Sequence, residues 1–379
     1  MDLRYGINPH QRARTIDGPG AAPLRVVSGG LSYINVLDAL TAWQLVREAA
    51  TATGEVVATS FKHVSPAGAA TAGPVDAAAA AIWGVDVRAG AATSAYVRAR
   101  DADPKSSFGD MIALSHPVDA ELADLLARVI SDGVIAPGYE PGVAATLAGK
   151  KAGAFLVLEA AQDFQAPQWE RRDCRGLVLE QRRDDGPITA DLLGGSDLTA
   201  DAGRDALLGL VTARHTQSNS VVLVEDGMAI GIGAGQQNRV DCVRLAAGKA
   251  RTWWLRRHPH IRDLPHPAGM RRQEHLNWQI RMAEGELTRT QRAEFASLFA
   301  GVDPDLDRQV RADWIDQLDQ VTLVSDGFLP FRDNVDHAAA VGVRHVVEPG
   351  GSTRSGEVAA ACLEHGIQLT RTGLRLFNH

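Results

Sequence analysis

The chain reads as a layered α/β protein, and three observations carry that reading. Helix-spaced and strand-like segments alternate along its length, one helix runs directly into a strand, and one strand pair closes on an Asp-Gly turn. In chain order, Leu37, Leu40, Trp43 and Val46 recur within residues 32–49 and predict an amphipathic helix. Residues 56–61 suit a buried strand, which Pro66 and Gly68 are expected to end with a turn. Leu122, Leu125, Leu126 and Val129 put one apolar face on a helix over 119–131, with Asp132-Gly133 stopping it before a strand at 134–136. Residues 220–224 and 228–231 read as a hairpin around Asp226-Gly227. Beyond it, 240–250 reads as a helix, and 271–319 as a charged helical connector without chemistry of its own. Strands follow at 321–324 and 343–347, then the loop Gly350-Gly351-Ser352 and a helix at 355–365.

A length of 379 residues exceeds one ordinary core and predicts two or three units. The 45% hydrophobic and 22% charged composition is that of a globular protein, and no apolar run is long enough to span a bilayer. The first residues lack a secretory pattern, and Cys174, Cys242 and Cys362 stand apart, so the reducing cytoplasm is the expected compartment. A net charge of -7 argues against a broad nucleic-acid face. The densest basic stretch, 251–272, interleaves arginines with Trp253 and Trp254; it reads as a surface segment with buried tryptophans before it reads as a base-stacking platform.

Ser60-Phe61-Lys62-His63 places an ammonium and an imidazole together at a strand end, where α/β proteins often put chemistry. Gly231-Ile232-Gly233-Ala234-Gly235 has the setting of a dinucleotide fingerprint, but Gln236 and Asn238 stand where its last glycine is required, so a Rossmann reading fails. These glycines permit either close ligand approach or a tight strand-to-helix turn. Phe328, Pro330, Phe331 and Asn334 suit a loop that holds a flat ring, and equally a pair of core anchors.

Together these motifs resemble the formyltransferase half of the AICAR transformylase/IMP cyclohydrolase family. The stretches that carry the resemblance are LRYGINPHQ, SFKHVSPAGAA, SSFGD, SDGVIAPGYE, TQSNSV, GIGAGQQNR, WWLRRHP, PFRDNVD and LRLF, in this order from one end of the chain to the other. The resemblance implies formyl transfer from 10-formyltetrahydrofolate to the 5-amino group of aminoimidazole carboxamide ribonucleotide (AICAR). It implies a tandem pair of cytidine-deaminase-like α/β/α units, here 1–165 and 166–379 with the helical connector at 257–320. It also implies an intertwined homodimer whose active sites are shared across the interface.

By matching positions, the family implies catalytic roles for Lys62, His63 and Asn219. Arg4, Tyr5, Gly109, Asp132, Arg375, Phe377 and His379 fall to the nucleotide, and Phe108, Gly233, Phe328, Pro330, Phe331 and Asn334 to the folate. A structural potassium ion is implied near Thr216, Ser218, Ser220 and Asp326. Read without the family, Asp132 is a helix-ending turn residue, residues 216–220 are a capping loop and Arg375 is a partner for a carboxylate.

Three departures stand out. Asn378 replaces a usual histidine, and Leu329 replaces a common second aromatic with a bearing on pterin packing. The cyclohydrolase half that precedes the first motif in such bienzymes lies outside this sequence, which predicts a separate cyclising or downstream enzyme. Competing readings are the same transfer onto an AICAR-like heterocyclic C-nucleotide and a non-catalytic nucleotide-binding partner. A zinc deaminase is excluded, since the chain has no P-C-x-x-C with a paired ligand.

Overall fold

Residues 1–16, 22–194 and 198–379 are described by a computed structural model. Among them, eleven strands form one mixed sheet. In chain order these are β1 (Leu24–Ser28), β2 (Val57–Lys62), β3 (Ser65–Thr71), β4 (Asp110–Leu114), β5 (Ser131–Ala136), β6 (Leu156–Ala160), β7 (Val221–Glu225), β8 (Met228–Gly233), β9 (Val321–Ser325), β10 (Val343–Glu348) and β11 (Gln368–Arg371). Their order across the sheet is β11-β10-β9-β7-β8-β3-β2-β4-β5-β6-β1. The inner strands are short and almost wholly buried, as cover on both faces requires, whereas the edge strands β1 and β11 are mixed in polarity and only partly buried.

The order contains a repeat. β3-β2-β4-β5-β6 and β8-β7-β9-β10-β11 share one pattern: an antiparallel hairpin, one further antiparallel step, then two parallel steps. A helix precedes each hairpin, α1 (Tyr33–Thr53) in the first half and α3 (Ala200–Arg214) in the second. Another follows each, α2 (Ala91–Ala102) and α4 (Arg239–Leu255). The halves meet where β8 lies antiparallel to β3, with Met228 opposite Ala70. Because that seam is antiparallel, the two hairpin turns point to opposite ends of the sheet.

α1 and α3 bury their apolar residues on one sheet face, in a core holding Trp43, Leu45, Leu208 and Val211. α2 and α4 cover the other face within two further clusters, one around Tyr96 and Leu122, the other around Val243 and Leu323. The connector forms helices at Pro259–Arg262, Arg272–Glu284, Arg289–Leu298 and Arg308–Ile315, closed on their own core of Trp278, Phe295 and Phe299. Trp253 is buried and Trp254 partly so, in keeping with the bland reading of that basic stretch.

Glycine explains where sequence and structure part. Pro66 and Gly68 do not end a strand but lie inside β3, and the turn is His63-Val64. A side chain at Gly68 would come within 2.0 Å of the Ala99 carbonyl of α2. In the second half, Gly231 and Gly233 occupy the equivalent strand, with the Ala246 and Cys242 carbonyls of α4 at 2.2 and 2.1 Å from a built Cβ. In each half, these glycines let the helix that follows the hairpin lie close on the sheet. Likewise the helix predicted over 119–131 ends at Arg128, and Asp132-Gly133 belongs to β5, where a Cβ on Gly133 would meet Leu156 at 2.5 Å.

At the far hairpin turn, burial first, then Asp226 and Asp205, push the Glu225 carboxyl from its ordinary 4.5 up to about 7. The folded form therefore binds a proton that the unfolded chain releases, and stability falls as pH rises through that window. Glu225→Gln should abolish this loss, gaining roughly 2 kcal/mol on the wild type between pH 5 and pH 8 in urea unfolding. Parallel behaviour of the two proteins at both pH values would refute the assignment.

Candidate active site

Lys62 ends β2 and His63 opens the two-residue turn that leads into β3. Lys62 pairs with Ser65, and His63 and Val64 both have positive φ, 52° and 57°. Two such residues make the tight turn that suits the strand twist, at a cost that is highest for a β-branched Val. The Val64 N–H donates to Asp38 Oδ1 at 2.7 Å. His63 is exposed, whereas Lys62 is half-buried and donates from Nζ to the Phe108 carbonyl at 2.5 Å and the Gly109 carbonyl at 3.1 Å. An ammonium has three protons, so one remains for a ligand.

The strand registers carry other predicted residues to the same end of the sheet. Gly109 immediately precedes β4, and Asp132 is the second residue of β5, left unpaired where the register with β4 shifts. A Cβ on Gly109 would sit 3.0 Å from Lys62 Nζ and 3.8 Å from Asp132 Oδ1, and its φ is +75°. Gly109→Ala should therefore displace the ammonium and lower turnover at least tenfold, a change of about 1.4 kcal/mol in the barrier. Unchanged kcat in the folded variant would detach Gly109 from Lys62. Arg4 and Tyr5 reach this end through backbone bonds from Arg4 N to the Leu31 carbonyl and from Tyr33 N to the Tyr5 carbonyl, at the start of α1. The Arg4 side chain lies over Gly30, and its guanidinium has no acidic partner among the described residues.

The second half contributes from across the seam. Gln217 N and Ser65 Oγ are 3.5 Å apart, tying the Lys62–Ser65 turn to the loop before β7. Asn219, in that loop, is two strand spacings from the turn, about 10 Å. Its Nδ2 donates to the Gln236 carbonyl at 3.0 Å, and its Oδ1 accepts from Arg239 Nη2 at 2.8 Å. Since a guanidinium only donates, the amide is oriented, with one proton and one lone pair left for a ligand. Arg239 also donates to Asp326 and to the Ser220 carbonyl, and is itself buried. Sequence reasoning missed Arg239 although it closes the quoted GIGAGQQNR motif.

The C-terminal segment folds back onto this loop. Leu376 N donates to the Asp326 carbonyl, and Ser218 and Asn378 exchange two hydrogen bonds. Phe377 lies under the Arg375 guanidinium, 4.6 Å from its ring centre, and against His379 at 5.8 Å. Arg375 has no acidic partner among the described residues. Phe108, Phe328, Phe331 and Phe377 are 41–45% exposed, all at this end of the sheet, while Phe61, Phe155, Phe295 and Phe299 fill cores. Phe328 and Phe331 are thus not core anchors. Leu329 is fully buried instead and its N–H donates to Glu348, so its side chain does not join the exposed rings. Asn334 is buried, donating to the Phe331 carbonyl and to Asp333, and Pro330 is half-buried beside it. Gly233 is buried under α4, and only its backbone is available to a ligand.

Lys151 also escaped the sequence reading. It reaches Asp132 Oδ1 at 2.8 Å from a short helical turn in which Lys151 and Ala152 have positive φ. No sequence pattern announces that backbone. Thr216 donates to the Thr212 carbonyl and Ser218 to Asp326, whereas the buried Ser220 hydroxyl has no partner. Among the described residues no group of three or more His, Cys, Asp or Glu could hold a metal ion.

The sequence model of the AICARFT/IMPCHase bienzyme family matches residues 1–249. The chain belongs to that family. Over 385 residues it is 32% identical to the bifunctional purine biosynthesis protein PurH of Roseobacter denitrificans, covering 100% of this chain and 59% of the relative. A PurH of Cereibacter sphaeroides is also 32% identical, over 387 residues, with the same coverage. The chain thus spans 59% of the length of these curated relatives. Most of the AICARFT/IMPCHase motifs quoted from the sequence reach the sheet end just described, around Lys62 and His63; WWLRRHP, at the C-terminal end of α4, lies at the opposite end, where Arg257 pairs with Asp76 and Asp101.

Proposed function

We propose that this chain is a formyltransferase that moves the formyl group of 10-formyltetrahydrofolate to the 5-amino group of AICAR, giving the formylated ribonucleotide and tetrahydrofolate. One observation carries the reading within the family: a single sheet end gathers the Lys62–His63 turn, the oriented Asn219 amide, two unpaired guanidiniums and four exposed phenylalanines.

An amine conjugated to an electron-poor ring is a weak nucleophile, so the reaction requires positioning, proton removal and oxyanion stabilisation. Asn219 holds the carboxamide beside the reacting amine. The amine nitrogen attacks the formyl carbon, its proton passes to His63, and the third Lys62 N–H faces the oxyanion. Collapse breaks the bond from carbon to N10, which takes a proton from the Lys62 ammonium, and the proton accepted by His63 restores Lys62, so that in net the amine proton ends on N10. Arg4 and Arg375 hold the phosphate, Asp132 the ribose hydroxyls, and Tyr5, Phe377 and His379 the base, with Gly109 giving close backbone approach. Phe108, Phe328, Pro330, Phe331 and Asn334 hold the folate rings, with the Gly233 backbone alongside.

Each half of the sheet is read as a cytidine-deaminase-like unit, 1–165 and 166–379, on the strength of the repeated strand order. The hairpin of Trp169–Cys174 and Leu177–Arg182 pairs only with itself and leaves Trp169, Leu177, Val178 and Leu179 more than half exposed. An isolated two-stranded ribbon is marginal in water. Its apolar surface favours the homodimer, which sedimentation would register as twice the chain mass. A potassium ion fits the buried Ser220 hydroxyl and neighbouring Thr216 and Ser218, in a purely structural role, because Arg239 already balances the charge of Asp326. No helix among the described residues is long and apolar enough to cross a membrane. With three separate thiols, the cytoplasm is the compartment we assign.

The test is tetrahydrofolate release from 10-formyltetrahydrofolate and AICAR, with an added cyclohydrolase to draw off product. Turnover is the expected result. Folate binding without turnover on AICAR would overturn the reading and direct the search to another amine.

A further inference from the structure

Asp38 has no part in the chemistry above, yet it is the acidic group built into the underside of the Lys62–Ser65 turn. It lies in the second turn of α1, on a face whose other buried residues are Ala39, Ala42, Trp43, Leu45, Val46 and Ala49. The residue is 7% exposed, and its carboxylate forms no ion pair with any described residue. A charge so placed is expensive to bury and is seldom kept for stability alone. Oδ1 accepts the Val64 N–H at 2.7 Å, at the centre of a turn whose two middle residues both have positive φ. Such backbone persists only when its surroundings hold it. A hydrogen bond from another element does this here, since α1 is itself fixed by the Ser32 cap and by the Tyr5–Tyr33 bond.

We propose that Asp38 is a positioning residue for formyl transfer: it fixes the turn that presents Lys62 and His63, and its negative charge favours the imidazolium that His63 becomes on accepting the amine proton. The charged groups that face it are His63 and Lys62 on the turn and Asp132 on β5. Burial raises its carboxyl above the ordinary value, while the Val64 N–H, His63 and Lys62 pull it back. An asparagine would accept the same N–H bond without a charge to bury. The role of the carboxylate is therefore electrostatic as well as structural, and Asp38→Asn separates the two.

The inference rests on the proposed reaction, so its test carries one readout that does not. In Asp38→Asn, kcat on AICAR should fall about tenfold or more while nucleotide KM changes less than threefold. Asp38→Glu should recover part of the loss and Asp38→Ala none. Independently, exchange of the Val64 amide proton followed by NMR should be about tenfold faster or more in Asp38→Ala than in the wild type, and close to the wild type in Asp38→Asn, which keeps an acceptor. That measurement needs no substrate and stands even if AICAR is not the acceptor. Wild-type kcat in Asp38→Asn overturns the electrostatic role, and unmoved Val64 exchange or wild-type kcat in a folded Asp38→Ala overturns the positioning role.

Discussion

On the proposed reaction, His63→Ala should lower kcat by about 10²- to 10⁴-fold, the usual contribution of a positioned general base, and leave AICAR affinity within a few fold of the wild type. The asymmetry follows from the turn. His63 is exposed at its crest and its ring makes no hydrogen bond among the described residues, so removing the ring disturbs neither Lys62, held by the Phe108 and Gly109 carbonyls, nor Val64, held by Asp38. In the proposed complex, phosphate and ribose contacts come from other segments. Steady-state kinetics with equilibrium nucleotide binding make the check: near-normal kcat would remove His63 from proton transfer, and an equal loss of binding would make it a binding group.

Arg239→Met costs about 3–5 kcal/mol of folding stability, because it strands a buried carboxylate. Asp326 is fully buried, and the guanidinium it would lose also orients Asn219 and caps the Ser220 carbonyl. Urea unfolding measures the loss. Pairing the change with Asp326→Leu should return much of the stability, since no charge then remains to be stranded, but should not return activity, because the Asn219 amide is still free to turn. A single variant that unfolds like the wild type would refute the ion pair as the anchor of that loop.

Much of this was legible in the residues. The hairpin on Asp226-Gly227 and the helix that buries Leu122, Leu125 and Leu126 announce themselves through turn chemistry and spacing. Family motifs led to Lys62, His63 and Asn219. What sequence concealed are contacts that close only in three dimensions. Gly68 and Gly133 read as turn residues because glycine is commonest there; here each clears the way for a packed neighbour, a demand visible only once α2 and β6 are in place. Asp38 sits at helical spacing among core residues and looks like an outlier until the turn above it is seen. Arg239 reads as one more helix residue until its three acceptors, drawn from two separate loops, converge.

The antiparallel seam between β8 and β3 has an electrical consequence. Had the halves been joined side by side in parallel, both hairpin turns would crowd the same rim. As built, the turn with Lys62 and His63 occupies one rim, near Arg4, Lys151 and Arg375, while Glu225 and Asp226 occupy the other. The two turns are separated by the length of β3, about 20 Å. At the far rim the acidic turn is answered by cations, Asp226 pairing with Arg98 and Arg204, whereas Arg4 and Arg375 have no acidic partner among the described residues, so a chain of net charge -7 still keeps uncompensated positive charge beside the Lys62–Ser65 turn. On the proposed reaction, a phosphorylated nucleotide and an anionic folate would meet those free guanidiniums on the same rim that carries Lys62 and His63.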